Sequence, residues 1–295
     1  MKSALSGIFM LVVAIIPAAQ ASELSTKTNS NFIFFGQTQG AGTPNELGIG
    51  GMRPLYKSTN GVLFVDGRAT ISLSDFTSSH HDSWSSSIIN TTVKGGTYAT
   101  SSRLGYRWFD ENRAWVFGLN AGYDTREMAT GAADTGVEIS DSQTVSFQQI
   151  ALGAEVISNT WQANAYALIP TGNVQQRLNS VYEGGALQTY GLDIGRNLTR
   201  TLGGSIGYFY QDGDHINGSG ARGRLTYGIN DRVTAGINVS YDDAFETRLS
   251  IDLEFRRKPV QRISNRNVRV HDNKSDVSTT YKQQILVQSI RWETR

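Results

Sequence analysis

Apolar and polar residues alternate with a period of two along several stretches of the chain. From 233 to 241 the odd positions hold Val, Ala, Ile, Val and Tyr, and the even positions hold Thr, Gly, Asn and Ser. The stretches 115–124 and 249–255 repeat this alternation. Strict alternation indicates a strand with one apolar and one polar face. Runs of about 9–11 residues match the length of a tilted strand that crosses a bilayer.

The same template finds about twelve segments along the chain and no convincing helical period. The alternation is weakest in the first, second and eighth. The fold class predicted is all-β, a transmembrane antiparallel β-barrel of about 12 strands. The predicted strands are 31–38, 46–54, 62–72, 98–108, 113–124, 146–156, 160–169, 187–196, 202–211, 220–229, 232–242 and 246–256.

The connections between the segments support this prediction. If the first strand runs outward, the periplasmic turns are all short, whereas the loops 73–97, 125–145 and 170–186 are long and polar. Bacterial membrane barrels have short periplasmic turns and longer extracellular loops. Aromatic residues fall at both predicted membrane interfaces, as in known barrels; the alternative is that they form the core of a soluble β-sandwich. These residues are Trp108, Trp115, Trp161, Tyr227 and Phe255 at one end, and Tyr123, Tyr208, Tyr210 and Tyr241 at the other.

The N-terminus has the pattern of a secretory signal peptide. Lys2 is followed by the apolar run 8–16 and by the cleavage pattern Ala19-Gln20-Ala21. The predicted organisation is a signal peptide (1–21), a barrel (22–256) and a basic C-terminal tail (257–295); an uncleaved N-terminal anchor is the alternative. The tail contains a further stretch with strand character, 283–292.

Composition narrows the function classes. The chain is 39% hydrophobic with a mean hydropathy of −0.31, as expected where only alternate residues face lipid. It contains no cysteine, which excludes disulfides and thiolate chemistry. A net charge of +1 argues against binding nucleic acid. The expected location is the outer membrane of a Gram-negative-type bacterium.

The polar faces of the predicted strands carry charges of both signs. Such residues either brace the wall as ion pairs or set the selectivity of a hydrated lumen. The residues predicted to face the lumen are Asp66, Arg68, Arg103, Arg107, Arg222, Arg224, Asp252 and Glu254.

Several motifs match known chemistry but lack its structural context. The run 203–207 (GGSIG) fits a nucleophile elbow, yet lies within a predicted strand with no helix after it. The run 218–223 (GSGARG) precedes a strand instead of opening a helix, and 80–82 (HHD) reads as solvated loop. We therefore predict no enzyme, no cofactor and no metal site. The enzyme alternative is an omptin-like surface protease built from Asp212, Asp214, His215, Asp242 and Asp243.

The order of several motifs resembles the β-domain of inverse autotransporters, the intimin and invasin family. The resemblance covers about residues 31–270. It is carried by the closing hairpins 224–255 and the basic stretch 258–262 (KPVQR), and by 50–55 (GGMRPL), 63–71 (LFVDGRATI), 102–126 (SRLGYRWFDENRAWVFGLNAGYDTR) and 150–172 (IALGAEVISNTWQANAYALIPTG).

The resemblance implies a 12-stranded barrel whose C-terminal linker threads the pore and carries a passenger, commonly an array of Ig-like adhesive domains, to the surface. Here about 39 residues follow the last strand, fewer than the ~100 of one Ig-like domain. The expected function is an anchor and pore for its own short C-terminal segment; a small porin or structural barrel is the alternative. The expected partners are outer-membrane lipid and, during biogenesis, the barrel-assembly machinery and periplasmic chaperones, and the barrel is expected to be a monomer.

Overall fold

The computed structural model describes residues 31–38, 45–73, 91–93, 96–112, 114–133, 140–158, 160–180, 182–213, 217–242, 246–257 and 287–291. The predicted signal peptide and most of the tail lie outside these ranges. No helix in the described part is long and apolar enough to span a membrane.

Every regular element in the described ranges is a β-strand. In chain order the strands are β1 (Ile33–Gln37), β2 (Glu46–Lys57), β3 (Gly61–Ser72), β4 (Thr91–Val93), β5 (Tyr98–Phe109), β6 (Val116–Met128), β7 (Thr130–Ala133), β8 (Val145–Ile157), β9 (Trp161–Thr171), β10 (Gln175–Arg177), β11 (Tyr182–Ala186), β12 (Gln188–Asn197), β13 (Leu202–Asp212), β14 (Asn217–Gly228), β15 (Val233–Asp242), β16 (Glu246–Arg256) and β17 (Val287–Arg291).

Twelve of these strands close into one antiparallel barrel in which neighbours in space are neighbours in sequence. The first strand closes the circle against the last, with Ile33 opposite Arg256 and Gln37 opposite Asp252. Closure pairs the backbone of every barrel strand on both sides and so removes the edges that a lipid environment cannot satisfy. The barrel strands, in order around the circle, are β1, β2, β3, β5, β6, β8, β9, β12, β13, β14, β15 and β16.

The predicted fold class is therefore confirmed, and each of the twelve predicted segments coincides with a barrel strand. The boundaries differ most at β6, which begins at Val116 instead of 113. Asp110 and Trp115 close a turn there: the Trp115 amide donates to Asp110 Oδ1 at 2.9 Å, and the Asp110 amide donates to the Trp115 carbonyl at 3.1 Å. The same strand continues to Met128 because it pairs with β8 up to Val145.

The two faces of the wall have opposite chemistry. On β15, Ile237 is 50% exposed, whereas Asn238, the next residue, is 4% exposed. The pattern holds around the circle: the outside is mainly apolar, and the inside carries most of the polar and charged side chains. Large apolar residues exposed on the outside include Leu104, Leu119, Ile150, Leu192, Ile206, Leu225, Ile251 and Leu253.

The two ends of the barrel differ in their connections. At one end every connection is a short turn, such as the one in which the Ser58 amide donates to the Gly61 carbonyl at 2.8 Å. At the other end three connections, 73–97, 129–144 and 172–187, are long, and the other three are short. The long connections contain β4, β7, β10 and β11, strands that the sequence analysis did not predict. Because β16 ends at a short-turn end, Arg256 leaves the barrel there.

Candidate functional site

The inner face of the barrel holds the charged residues that the sequence assigned to a lumen. Their positions alternate with exposed apolar residues on the same strands, so in a closed sheet their side chains lie inside. The buried ones are Arg68, Arg103, Arg107, Asp252 and Glu254, and the half-buried ones are Asp66, Arg222 and Arg224.

One ion pair on this face spans three strands. Arg107 on β5 pairs with Glu155 on β8, and β6 lies between them. Arg107 Nη2 donates to Glu155 Oε2 at 2.9 Å. The residue of β6 beneath the pair is Gly118, and a Cβ placed there would lie 2.7 Å from Glu155 Cγ. The absence of a side chain on the middle strand therefore lets the pair lie flat against the wall.

A second pair uses the same arrangement on the other side of the barrel. Arg222 on β14 reaches over Gly207 of β13 to Asp193 on β12, with Nε donating to Oδ1 at 2.7 Å. Arg222 Nη2 also donates to the Tyr166 hydroxyl at 3.0 Å. The Tyr166 ring lies over Gly191 of β12, where a Cβ would be 2.7 Å from Cε1. This cluster joins β9 to β14.

A third pair crosses β15 in the same way. Arg224 donates to both carboxylate oxygens of Asp252 on β16, at 2.7 and 2.9 Å. Asn238 Nδ2 also donates to Asp252, at 2.8 Å. The residue beneath the pair is Gly236, where a Cβ would lie 2.8 Å from Arg224 Nη2. A bidentate, charge-assisted pair of this kind is both strong and geometrically specific.

Neighbouring strands add further pairs. Arg103 donates to both oxygens of Asp124 at 2.6 and 2.9 Å, and Gln149 Nε2 donates to the same carboxylate at 2.8 Å. Arg248 pairs with Asp242. Within β16, Arg256 pairs with Glu254 at 2.7 Å, at the short-turn end. These contacts favour the interpretation in which the inner charges brace the wall.

Apolar side chains share the inner face with these pairs. Met52, Val62 and Phe64 form one buried cluster. The Arg107 guanidinium lies 4.5 Å from the centre of the Phe64 ring, close enough for a cation–π contact. The lumen wall is therefore a mixed surface, in which charged groups are engaged by other wall residues.

Asp252 and Glu254 were singled out from the sequence, but several other partners of these arginines were not. Glu155 could have been found, because it lies between Ala154 and Val156 in a run whose apolar members face outward. Its pairing with Arg107 could not have been predicted, because the two residues are 48 positions apart in sequence and meet across an intervening strand. The other missed residues are Asp193, Arg248 and Tyr166, whereas Asp242 was considered only as part of the protease alternative.

The acidic group considered for a protease is not assembled among the described residues. Asp212 is exposed, whereas Asp242 is buried and paired with Arg248. The other three members, Asp214, His215 and Asp243, lie outside the described residues. In the part of the chain that the structure describes, no three His, Asp or Glu residues are placed to hold a metal ion.

The long connections are tied to one another at their end of the barrel. Strand β4 of the first pairs with β7 of the second. The second contacts the third where the Ser180 amide donates to the Ser140 carbonyl at 2.9 Å and Gln143 Nε2 donates to the Arg177 carbonyl at 2.6 Å. In the third, Leu178 is fully buried.

The third long connection also pairs with the C-terminal tail. Strands β10 and β11 form a hairpin, and β17 adds antiparallel to the free edge of β11. Arg256 leaves the barrel at the short-turn end, yet β17 lies at the long-loop end. The segment 283–292, which showed strand character in the sequence, therefore contains a strand. This strand lies at the opposite end of the barrel from the end where the tail begins.

No protein-family model matches the chain, and neither does any curated protein. Solved structures resemble it in fold. A membrane-protein structure from a study of in-meso crystallization has a TM-score of 0.58 and 14% identity, over 88% of this chain and 99% of its own. The COG4313 outer membrane channel from Pseudomonas putida F1 has a TM-score of 0.46 and 12% identity, over 82% and 99%. The translocator domain of the autotransporter NalP from Neisseria meningitidis has a TM-score of 0.40 and 12% identity, over 77% of this chain and 88% of its own.

The chain has the fold of an outer-membrane β-barrel. Its closed circle of twelve strands, its apolar outside and its charged inside all belong to that fold class. The comparisons name no narrower family, so membership in the inverse autotransporters remains a prediction.

Proposed function

We propose that this barrel is an outer-membrane anchor and translocator of the inverse autotransporter type, which exports and holds its own C-terminal segment. The observation that carries the proposal is the position of β17. The tail begins at Arg256 at the short-turn end, and Val287–Arg291 pairs with a loop at the opposite end. In an outer membrane the short-turn end faces the periplasm and the long-loop end faces the outside.

The path we propose for the intervening tail is the barrel lumen. A path around the outside would place polar backbone groups in lipid, at a cost of several kcal/mol for each unsatisfied group. The tail is also rich in basic residues, among them Arg257, Lys258 and Arg262. At the short-turn end, Glu254 on the inner face already pairs with Arg256, the residue that precedes the tail, at 2.7 Å.

The test is a single cysteine at Ser289 in a chain that has no native cysteine. Ser289→Cys is expected to react with a membrane-impermeant thiol reagent on intact cells. The matched control is Asn230→Cys in a short turn, which should react only after the outer membrane is permeabilised. If Ser289→Cys also reacts only after permeabilisation, the tail is periplasmic and the proposal is wrong.

A second candidate, a small porin, is favoured by the charged inner face. The two functions differ in conductance. A barrel that holds its tail in the lumen should be nearly silent in a planar bilayer, and deletion of residues 258–295 should open it. A large steady conductance of the full chain, unchanged by that deletion, would favour the porin.

A further inference from the structure

The sheet at the long-loop end joins two parts of the chain that are about 100 residues apart in sequence. All five residues of β17 are in register with β11, from Tyr182 opposite Arg291 to Ala186 opposite Val287. Pairing of this kind is strand addition, in which main-chain hydrogen bonds provide affinity whatever the side chains are.

The hairpin that accepts β17 is anchored to the rest of the molecule. The Gln143 amide donates to the Leu178 carbonyl at 3.0 Å, and Gln176 Nε2 donates to the Ser146 carbonyl at 2.6 Å. Within the connection itself, the Ala186 amide donates to the Val174 carbonyl at 2.9 Å and extends the pairing at the base of the hairpin. None of these bonds involves the tail, so they hold β10 and β11 in place independently of it. A preformed edge binds an incoming strand at a lower entropic cost than a mobile loop does.

The accepting edge also has little side-chain bulk. Gly184 and Gly185 occupy the centre of β11, opposite Ser289 and Gln288. Glycine within a strand weakens it on its own and often marks a place where another backbone approaches closely. Here that backbone is the tail on one side and β10 on the other, because Gly184 also lies opposite Gln176.

We propose that the β10–β11 hairpin is a retention site, which captures residues 287–291 of the same chain by strand addition once they reach the long-loop end. The inference rests on the proposed function, since it requires the tail to cross the barrel. It adds the place where the exported segment stops and the chemistry that holds it there.

The length of the tail allows capture within one chain. The stretch from 257 to 286 spans at most about 110 Å when extended at ~3.3–3.6 Å per residue. This is well beyond the ~25 Å height of the lipid-facing apolar band of a membrane barrel. A tethered segment has an effective concentration on the order of mM. In dilute reconstituted protein, other copies of the chain are present at a much lower concentration than this. The hairpin should therefore bind the tail of its own chain in preference to the tail of a second copy.

The experiment is a disulfide test of the register. The matched pairs are Gly184→Cys with Ser289→Cys, and Glu183→Cys with Ile290→Cys, because these residues lie opposite each other. The mismatched pairs are Glu183→Cys with Ser289→Cys, and Gly184→Cys with Ile290→Cys. Adjacent residues of a strand point to opposite faces of the sheet, so the two cysteines of a mismatched pair lie on opposite faces and should not form a disulfide. The same four substitutions therefore provide both the test and its controls. Heat-dependent gel mobility identifies the variants that contain a folded barrel.

In folded barrels, mild oxidation is expected to form a disulfide within the monomer in both matched variants and so to shift their gel mobility. Reduction should abolish the shift. The gel mobility of both mismatched variants should not change. Equal shifts in all four variants, no shift in the matched pairs, or a disulfide-linked dimer would overturn the proposal.

The two proposals fail in different ways. If Ser289→Cys reacts on intact cells and the matched pairs do not cross-link, the tail is exported but is not retained by the hairpin. If Ser289→Cys is not reached from outside, the proposed function itself is wrong.

Discussion

The outer and inner faces of the barrel wall are made by the same strands but stabilised by different interactions. The outer face requires only that each side chain be apolar, and neighbours such as Ile237 and Ile251 are independent contributors to a lipid-facing surface. The inner face requires specific partners: Arg107 needs Glu155, and the pair needs a glycine between them. The outer face should therefore tolerate any apolar exchange, whereas the inner face should respond to the loss of single atoms.

The largest effect is expected from breaking an inner ion pair. Glu155→Ala removes the carboxylate to which Arg107 donates and leaves a buried guanidinium, at a cost of about 3–5 kcal/mol of unfolding free energy. The double variant Arg107→Met with Glu155→Leu removes both charges and should recover most of that loss. Urea unfolding in liposomes measures both. If the double variant is as unstable as the single one, burial of an uncompensated charge is not the cause.

A charge on the outer face should cost somewhat less. Ile237→Arg places a guanidinium against lipid near the middle of β15, with an expected loss of about 2–4 kcal/mol. Ile237→Met keeps a long apolar side chain and should be almost neutral. The same unfolding measurement decides, and equal stability of the two variants would place Ile237 away from lipid.

How much of this could be predicted from the sequence depends on the range of the interaction. The strands and their faces follow from a period of two that each segment carries within itself. The inner ion pairs cannot be predicted in this way. The partner of Arg222 depends on the register of three strands and on Gly207 beneath the contact. The short strands β4 and β10 are too brief to show any alternation. Strand β17 was visible as a pattern, but nothing in that pattern identifies β11 as its partner.

A smaller effect should come from filling a glycine site on the inner face. Gly191→Ala would bring a Cβ into the Tyr166 ring, and overpacking of this kind costs about 1–3 kcal/mol. The matched control is Gly67→Ala on the exposed face of β3, where an added Cβ meets nothing within 4 Å. Urea unfolding compares the two variants. Equal stabilities would contradict the idea that Gly191 leaves room for the Tyr166 ring on the inner face.

The most direct test of the two-faced wall is a nitroxide scan of β15. Single cysteines from 234 to 240 would be spin-labelled in the reconstituted barrel, and their accessibility to a lipid-soluble and to a water-soluble relaxant compared. We expect high lipid accessibility at 235, 237 and 239 and low lipid accessibility at 234, 236, 238 and 240, a period of two in phase with the structure. A scan without that period, or with the opposite phase as after a one-residue slip in register, would contradict the account.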